Sequence, residues 1–144
     1  MKVKQISIFI ENKIGRLAEV TKVLSDVLVN IRALSLADTK DFGILRLIVD
    51  EPDKAQATLK NNGYTARETE VLAVEVPDRP GGLFEVLNTF EENKVNVEYM
   101  YAFAGKLEQS AIMIFRFDDV ENALSSIKNT SLKILTHEEL VKLV

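Results

Sequence analysis

The sequence predicts an α+β protein made of two βαββαβ units, and three observations predict it. The stretch Ile10-Glu11-Asn12-Lys13-Ile14-Gly15-Arg16-Leu17-Ala18-Glu19-Val20 returns, 66 positions on, as Val76-Pro77-Asp78-Arg79-Pro80-Gly81-Gly82-Leu83-Phe84-Glu85-Val86. The register holds as far as Val29-Asn30-Ile31 and Val95-Asn96-Val97, so two copies of one supersecondary unit are expected. Within each copy, apolar residues alternate with period two, then recur at helical spacing.

The elements follow in order. Ile6, Ile8 and Ile10 alternate with Ser7 and Phe9, as Leu72, Val74 and Val76 do with Ala73 and Glu75, which marks the first strands. Leu17, Val20, Leu24 and Leu28, and then Leu83, Val86, Leu87 and Phe90, form the stripes of the first helices. Second strands are expected over 31–37 and 97–103. The hairpins Asp38-Thr39-Lys40-Asp41-Phe42-Gly43 and Ala104-Gly105-Lys106 each hold a glycine suited to positive φ. Third strands run from Ile44 to Val49 and from Ala111 to Phe117. A second helix starts near Pro52, where a missing N–H costs nothing, and Gly63 fits its C′ position. Its counterpart follows Asp118-Asp119, with Val120, Ala123, Leu124 and Ile127 on one stripe. Final strands near 65–69 and 131–135 complete a ferredoxin-like arrangement, an antiparallel sheet with helices on one face. Thr136-His137-Glu138-Glu139 before Leu140 has capping-box form and predicts a short terminal helix. The domains expected are therefore 1–70, 71–135 and a helix over 136–144, the two units lying side by side because almost no linker separates them.

Composition narrows the function classes. The 144 residues are 47% hydrophobic and 28% charged, ordinary for a soluble globular chain. No apolar run approaches the ~20 residues of a membrane span, so a cytoplasmic address without membrane contact is expected. The absence of cysteine removes disulfides, thiolate chemistry and cysteine metal sites. A net charge of −4 speaks against the clustered basic face that nucleic acid requires. The third strands lack the aromatic pattern of an RNA-recognition module, and Ala104-Gly105-Lys106 lacks the remaining residues of a P-loop.

No catalytic residue, metal site or cofactor is expected. The single histidine, His137, lies outside the repeated loops and reads as solvated or capping. Glu91-Glu92, Asp118-Asp119 and Glu138-Glu139 are sequence neighbours, which do not face each other on a helix. Arg46 and Arg116 interrupt apolar strands and read as snorkelling or pairing on the open face of the sheet.

The turn from first strand to first helix remains. In Asp78-Arg79-Pro80-Gly81-Gly82-Leu83, proline stiffens the approach and the glycines admit a ligand close to the backbone. A helix N-terminus offers donors and partial positive charge to a carboxylate, and Asp78, or Asn12 in the first copy, offers an acceptor to an ammonium. That pairing describes a free amino acid. An ordinary turn and cap uses the same residue types, so the residues alone leave both readings open.

The pattern Asn/Asp-x-Pro-Gly-x-Leu, with Val-Asn-Ile/Val about 15 residues after the glycine, resembles the ACT domain, a regulatory module that binds small effectors, often amino acids. Together with the element order, the resemblance covers all but about the last eight residues. It is nearest to proteins made only of two tandem ACT domains. In that family ligands sit between paired domains, touched by this turn of one and the start of the second strand of another. Carried over, the resemblance nominates Asn12, Ile14, Gly15, Arg16, Leu17, Asn30 and Ile31 in the first copy. In the second it nominates Asp78, Pro80, Gly81, Gly82, Leu83, Asn96 and Val97. The copies depart from the pattern in opposite ways, with Ile14 against Pro80 and Arg16 against Gly82, so the two sites are expected to be unequal.

Magnitudes make a second wall necessary. A helix N-terminus contributes about 0.3–2 kcal/mol to an anion, and a charged hydrogen bond about 1.5–3 kcal/mol. One turn alone therefore reaches on the order of millimolar affinity. The expectation is a non-enzymatic regulator that binds an amino acid between paired units and signals to a partner enzyme of amino-acid metabolism. Apolar residues on the open sheet face predict a homodimer. The alternatives are a regulatory subunit like that of acetolactate synthase, whose second half differs from this one, and a dimerisation module without ligand.

Overall fold

The computed structural model describes residues 1–38, 41–104 and 107–143. The first copy contains β1 (Val3–Glu11), α1 (Arg16–Asp26), β2 (Ile31–Asp38), β3 (Phe42–Val49) and α2 (Pro52–Asn61). The strand β4 (Thr65–Pro77) follows, then α3 (Gly82–Glu92), β5 (Val97–Ala102), β6 (Ser110–Phe117), α4 (Val120–Ile127), β7 (Ile134–Leu135) and α5 (His137–Val141). The chain forms two compact units, Lys4–Thr69 and Met1–Val3 with Glu70–Val144. Both have the ferredoxin-like order of antiparallel strands, β2-β3-β1-β4 in the first and β5-β6-β4-β7 in the second. Among the described residues, no helix is long and apolar enough to cross a membrane.

Period two fixes what each unit buries. In the first, Ile6, Ile8 and Ile10 of β1 and Leu45, Leu47 and Val49 of β3 lie under Val20 and Leu24 of α1 and Ala55 and Leu59 of α2. In the second, Leu72, Val74 and Val76 join Phe115 and Phe117 beneath Val86 and Phe90 of α3 and Ala123 and Ile127 of α4. Phe90 meets the rings of Phe115 and Phe117 edge-on, with centroids 5.0 and 5.2 Å away. That geometry is the one favoured by the aromatic quadrupole.

The other sheet face is apolar as well. Residues on the core-facing positions alternate with Ile48 of β3, Ala73 of β4 and Ile112 and Ile114 of β6, which point the opposite way. All four are 0% exposed within this single chain. The large apolar residues left exposed include Ile14, Leu17, Leu28, Leu34, Leu36 and Phe42 in the first unit and Phe84 in the second.

Helix ends obey a shared rule with one costly variation. Gly63 at φ 86° follows α2, and the N–H groups of Gly63 and Tyr64 close onto Lys60 O and Leu59 O, a Schellman motif. Helices α1 and α3 end in the same hydrogen-bond pattern, but Leu28 at φ 60° and Lys94 at φ 55° take the glycine's place. A side chain in the left-handed region costs about 1–2 kcal/mol, offset in part by glycine's extra freedom when unfolded. Leu28→Gly and Lys94→Gly are each expected to stabilise the protein by about 0.5–1 kcal/mol in urea denaturation.

Smaller expectations resolve locally. Gly43 does not have positive φ; it lies in β3, where a Cβ would stand 3.2 Å from Leu36 Cδ1, so the glycine serves close packing. Gly105 and Lys106, like Thr39 and Lys40, fall outside the described residues. Arg116 donates to Glu70 O at 2.9 Å and pairs with Glu98 at 3.5 Å. The capping box of α5 forms, with Thr136 Oγ1 accepting from Glu139 N–H and Glu139 accepting from Thr136 N–H. His137 is neither solvated nor a cap: both ring nitrogens are buried and lack a hydrogen-bond partner among the described residues. It precedes the fully buried Leu140 by three positions and so shares the packed face of α5.

Candidate functional site

The two repeated loops fold alike. In the first, Lys13-Ile14-Gly15-Arg16 turns so that Arg16 N–H meets Lys13 O at 3.3 Å, with Gly15 at φ 87°, ψ −9°. In the second, Arg79-Pro80-Gly81-Gly82 turns with Gly82 N–H on Arg79 O at 3.0 Å and Gly81 at φ 86°, ψ −9°. These are type II turns, which require positive φ at the third position and favour proline at the second. Gly15 and Gly81 are therefore demanded by the turn itself. Each turn is tied to its neighbouring hairpin, Asn12 N–H to Asp41 O at 3.0 Å and Asp78 N–H to Gln109 O at 3.2 Å.

The capping alternative does not describe what the polar side chains do. Gly15 and Gly81 are themselves the N-caps, and neither helix start receives a side-chain cap hydrogen bond. The side chains of Asn12 and Asp78 are exposed and make no hydrogen bond or ion pair among the described residues. Arg16 N–H closes the turn, while the next donors, of Leu17 and Ala18, have no backbone acceptor among the described residues. A helix start with free donors beside an uncommitted polar side chain is the chemistry that holds a carboxylate and an ammonium together.

Gly82 has a different reason from the one expected. A Cβ there would lie 2.0 Å from Pro77 O, so the residue permits the helix to rest on the end of β4 rather than a ligand to approach. Arg16 takes this position in the first copy and is half-buried. An arginine pairs with the first-turn glutamate in both units, but from different places. Arg16 reaches Glu19 at 3.0 Å, whereas Arg79 grips both oxygens of Glu85 at 3.0 and 2.8 Å. Exposed pairs of this kind contribute about 0–1 kcal/mol. Their effect here is to orient the arginine, not to hold the fold.

The nominated residues are not all brought together. Asn12, Arg16 and Leu17 line a recess of about 60 Å³ with Leu36 and Gly43, while Ile14 points into solvent. Asn30 and Ile31 lie beyond the far end of α1, on an open hollow of about 410 Å³ with Thr21, Ser25 and Leu28. Eleven helical residues separate the two sets, roughly 16 Å at 1.5 Å per residue. Asn30 N–H is held by Asp50 Oδ1 at 2.9 Å, and Asp50 N–H returns to Asn30 O at 3.1 Å. Asp78, Pro80, Gly81 and Leu83 occupy the second turn, with Asn96 and Val97 past the far end of α3.

Sequence reasoning missed the walls. Leu36 and Gly43 come from the hairpin and carry no motif. A further hollow of about 290 Å³ lies between Phe9, Glu11, Arg16, Glu19 and Tyr64. The repeat-equivalent hollow in the second unit, about 340 Å³, lies between Glu75, Pro77, Glu85, Ser131 and Lys133. Small-molecule sites begin at about 300 Å³, and the 60 Å³ recess falls well short of that. In the first hollow, the Tyr64 hydroxyl is buried without a hydrogen-bond partner among the described residues, and burial followed by the nearby Glu19 pushes its pKa up. The signal available in sequence was Glu19 and Glu85, identical across the repeat.

A family profile described as ACT domain pair matches residues 1–144. No curated protein sequence matches significantly. Among solved structures, the chain is similar to protein BT0572 from Bacteroides thetaiotaomicron, with 40% identity over 99% of this chain and 98% of that one and a TM-score of 0.92. Two others share the fold at lower identity. The regulatory subunit of aspartate kinase from Thermus thermophilus matches at 17% identity over 87% and 90% of the chains, TM-score 0.63. That from Thermus flavus matches at 14% over 87% and 90%, TM-score 0.60. With its full length matched, its two ferredoxin-like units and its repeated turn, the chain belongs to the ACT domain family, as an ACT domain pair.

Proposed function

We propose that this protein is a non-catalytic, cytoplasmic regulator that binds a free amino acid where ACT domains pair and signals to a partner enzyme of amino-acid metabolism. It works as a homodimer, with Asn12, Gly15, Arg16 and Leu17 contacting ligand in one site and Asp78, Pro80, Gly81 and Leu83 in the other. The observation that carries this reading is the twice-built type II turn, which leaves Asn12 and Asp78 uncommitted beside a helix start. The free donors at that start take the ligand carboxylate, and Asp78 takes the ammonium with a full charge where Asn12 offers only a dipole. The second site is therefore the tighter one for a zwitterion.

Signalling requires that ligand bind one arrangement of the protein better than another; equal affinity shifts nothing. The small recess at the first turn fits this requirement, because a full site forms only when a second surface closes over it. Thermal shift against the twenty amino acids tests the reading. A true effector present at a hundred times its Kd adds about 2.7 kcal/mol of stability. Stabilisation by none of them sinks the sensor reading.

A further inference from the structure

The two hollows beside the repeated turns carry the same balance of charge. In the first unit, the space of about 290 Å³ lies against the start of α1 and the end of α2, where Glu11, Arg16, Glu19 and Tyr64 line it. Its counterpart, about 340 Å³, lies against α3 and the segment after α4, where Glu75, Glu85 and Lys133 line it. Each is built from one unit alone, and each has two carboxylates and one cation among its described residues. Each also holds a buried oxygen without a hydrogen-bond partner among the described residues, Tyr64 Oη in the first and Glu75 Oε2 in the second. A buried polar atom left unpaired is costly, so both oxygens call for a donor.

The second unit supplies a donor group of its own, since Lys133 Nζ stands 3.6 Å from Glu75. Its repeat counterpart, Arg67, is exposed and does not line the first hollow. The cation that does, Arg16, is drawn to Glu19 by one hydrogen bond at 3.0 Å. A carboxylate has about four acceptor sites, so Glu19 has room for another donor. Tyr64, whose pKa is pushed up by burial and then by the nearby Glu19, keeps its proton and remains a neutral acceptor as well as a donor. Asn62 and Gly63, which also line the hollow, bring the negative end of the α2 dipole to it.

We infer that the first hollow is a binding site for a small primary amine, whose ammonium sits between the Glu19 carboxylate and the Tyr64 hydroxyl, and that Lys133 fills the same role within the second hollow. The ligand is a simple amine rather than a zwitterion, because a second carboxylate would face Glu11 and Glu19 at close range. The site shares Arg16 with the recess at the first turn but not Asn12 or Leu17, and it needs neither a second copy of the chain nor an amino acid at the turn.

A nuclear magnetic resonance titration of the full-length, isotope-labelled protein with n-butylammonium chloride tests this, with sodium chloride at equal ionic strength as reference. Saturable shifts of the Gly63, Tyr64 and Thr65 amides are expected, with none at Ser131 and Leu132. Glu19→Gln and Tyr64→Phe are each expected to weaken binding by roughly tenfold or more, the loss of a hydrogen bond to a charged group. Tyr64→Phe should not lower the urea midpoint of the free protein, because the hydroxyl has no partner to lose. Lys133→Ala is expected to open the second hollow and bring saturable shifts to Ser131 and Leu132. Sodium butyrate, a carboxylate of like length, should leave Gly63 and Tyr64 unmoved. Shifts confined to Asn12, Leu17 and Gly43 would put the amine in the recess at the turn and overturn the site. Butyrate shifts matching those of the amine, or amine binding unchanged in both Glu19→Gln and Tyr64→Phe, would overturn it as well.

Discussion

Gly82→Ala is expected to destabilise the protein by about 3 kcal/mol, at the upper end of the usual cost of overpacking. A single methyl group would stand 2.0 Å from Pro77 O, a backbone atom that no rotamer change can move aside. Relief requires α3 to lift from the end of β4, loosening the contacts of Val86 and Phe90 at once. Gly81→Ala is a useful contrast. Space is open around Gly81, but its φ is 86°, so the cost there is conformational and about 1–2 kcal/mol. Arg16→Ala, at the position equivalent to Gly82, should change stability by under about 1 kcal/mol, since it loses one exposed pair with Glu19. Urea midpoints at constant m-value rank the three. A Gly82→Ala protein as stable as the Arg16→Ala protein would show that the helix start is not packed as described.

Phe90→Ala is expected to cost about 3–5 kcal/mol, the typical loss on removing a buried phenylalanine. Phe90 is 1% exposed and touches both Phe115 and Phe117 edge-on, so a further ~0.5–1.5 kcal/mol of aromatic interaction goes with it. Against a total stability of about 5–15 kcal/mol, this is enough to unfold a marginal domain. The first copy has Leu24 at the equivalent position, and Leu24→Ala is expected to cost less, about 2–4 kcal/mol, because no ring pair is lost. Chemical denaturation followed by circular dichroism reads both. Equal losses at Phe90 and Leu24 would remove the aromatic cluster from the account.

The fold was legible because the repeat and the two periodicities agreed at every element. Most boundaries moved by a residue or two, the strands expected near 65–69 and over 72–76 run together as the single β4, and β7 shrank to Ile134–Leu135, with Glu75 N–H reaching Lys133 O just beyond it. The site was legible only in its backbone. A glycine in sequence does not disclose why it is there: Gly15 and Gly81 serve a left-handed turn, Gly43 packs on Leu36, and Gly82 avoids a carbonyl. Burial on the second sheet face was illegible too, since alternation in β3 and β6 says that both faces are apolar but not what covers them. His137 failed for the same reason, because a cap signal at Thr136 says nothing of the surface on which the helix will lie.

The central claim is that the repeated turn holds an amino acid through Asn12 and Asp78. Calorimetry of the full chain with the stabilising amino acid, on native protein, Asn12→Ala and Asp78→Ala, tests it most directly. Loss of a charge-assisted hydrogen bond is worth about 1.5–3 kcal/mol, so Asp78→Ala should weaken one site by roughly 10- to 150-fold and Asn12→Ala the other by less. Native affinity in both variants would place the ligand elsewhere on the molecule and contradict the account.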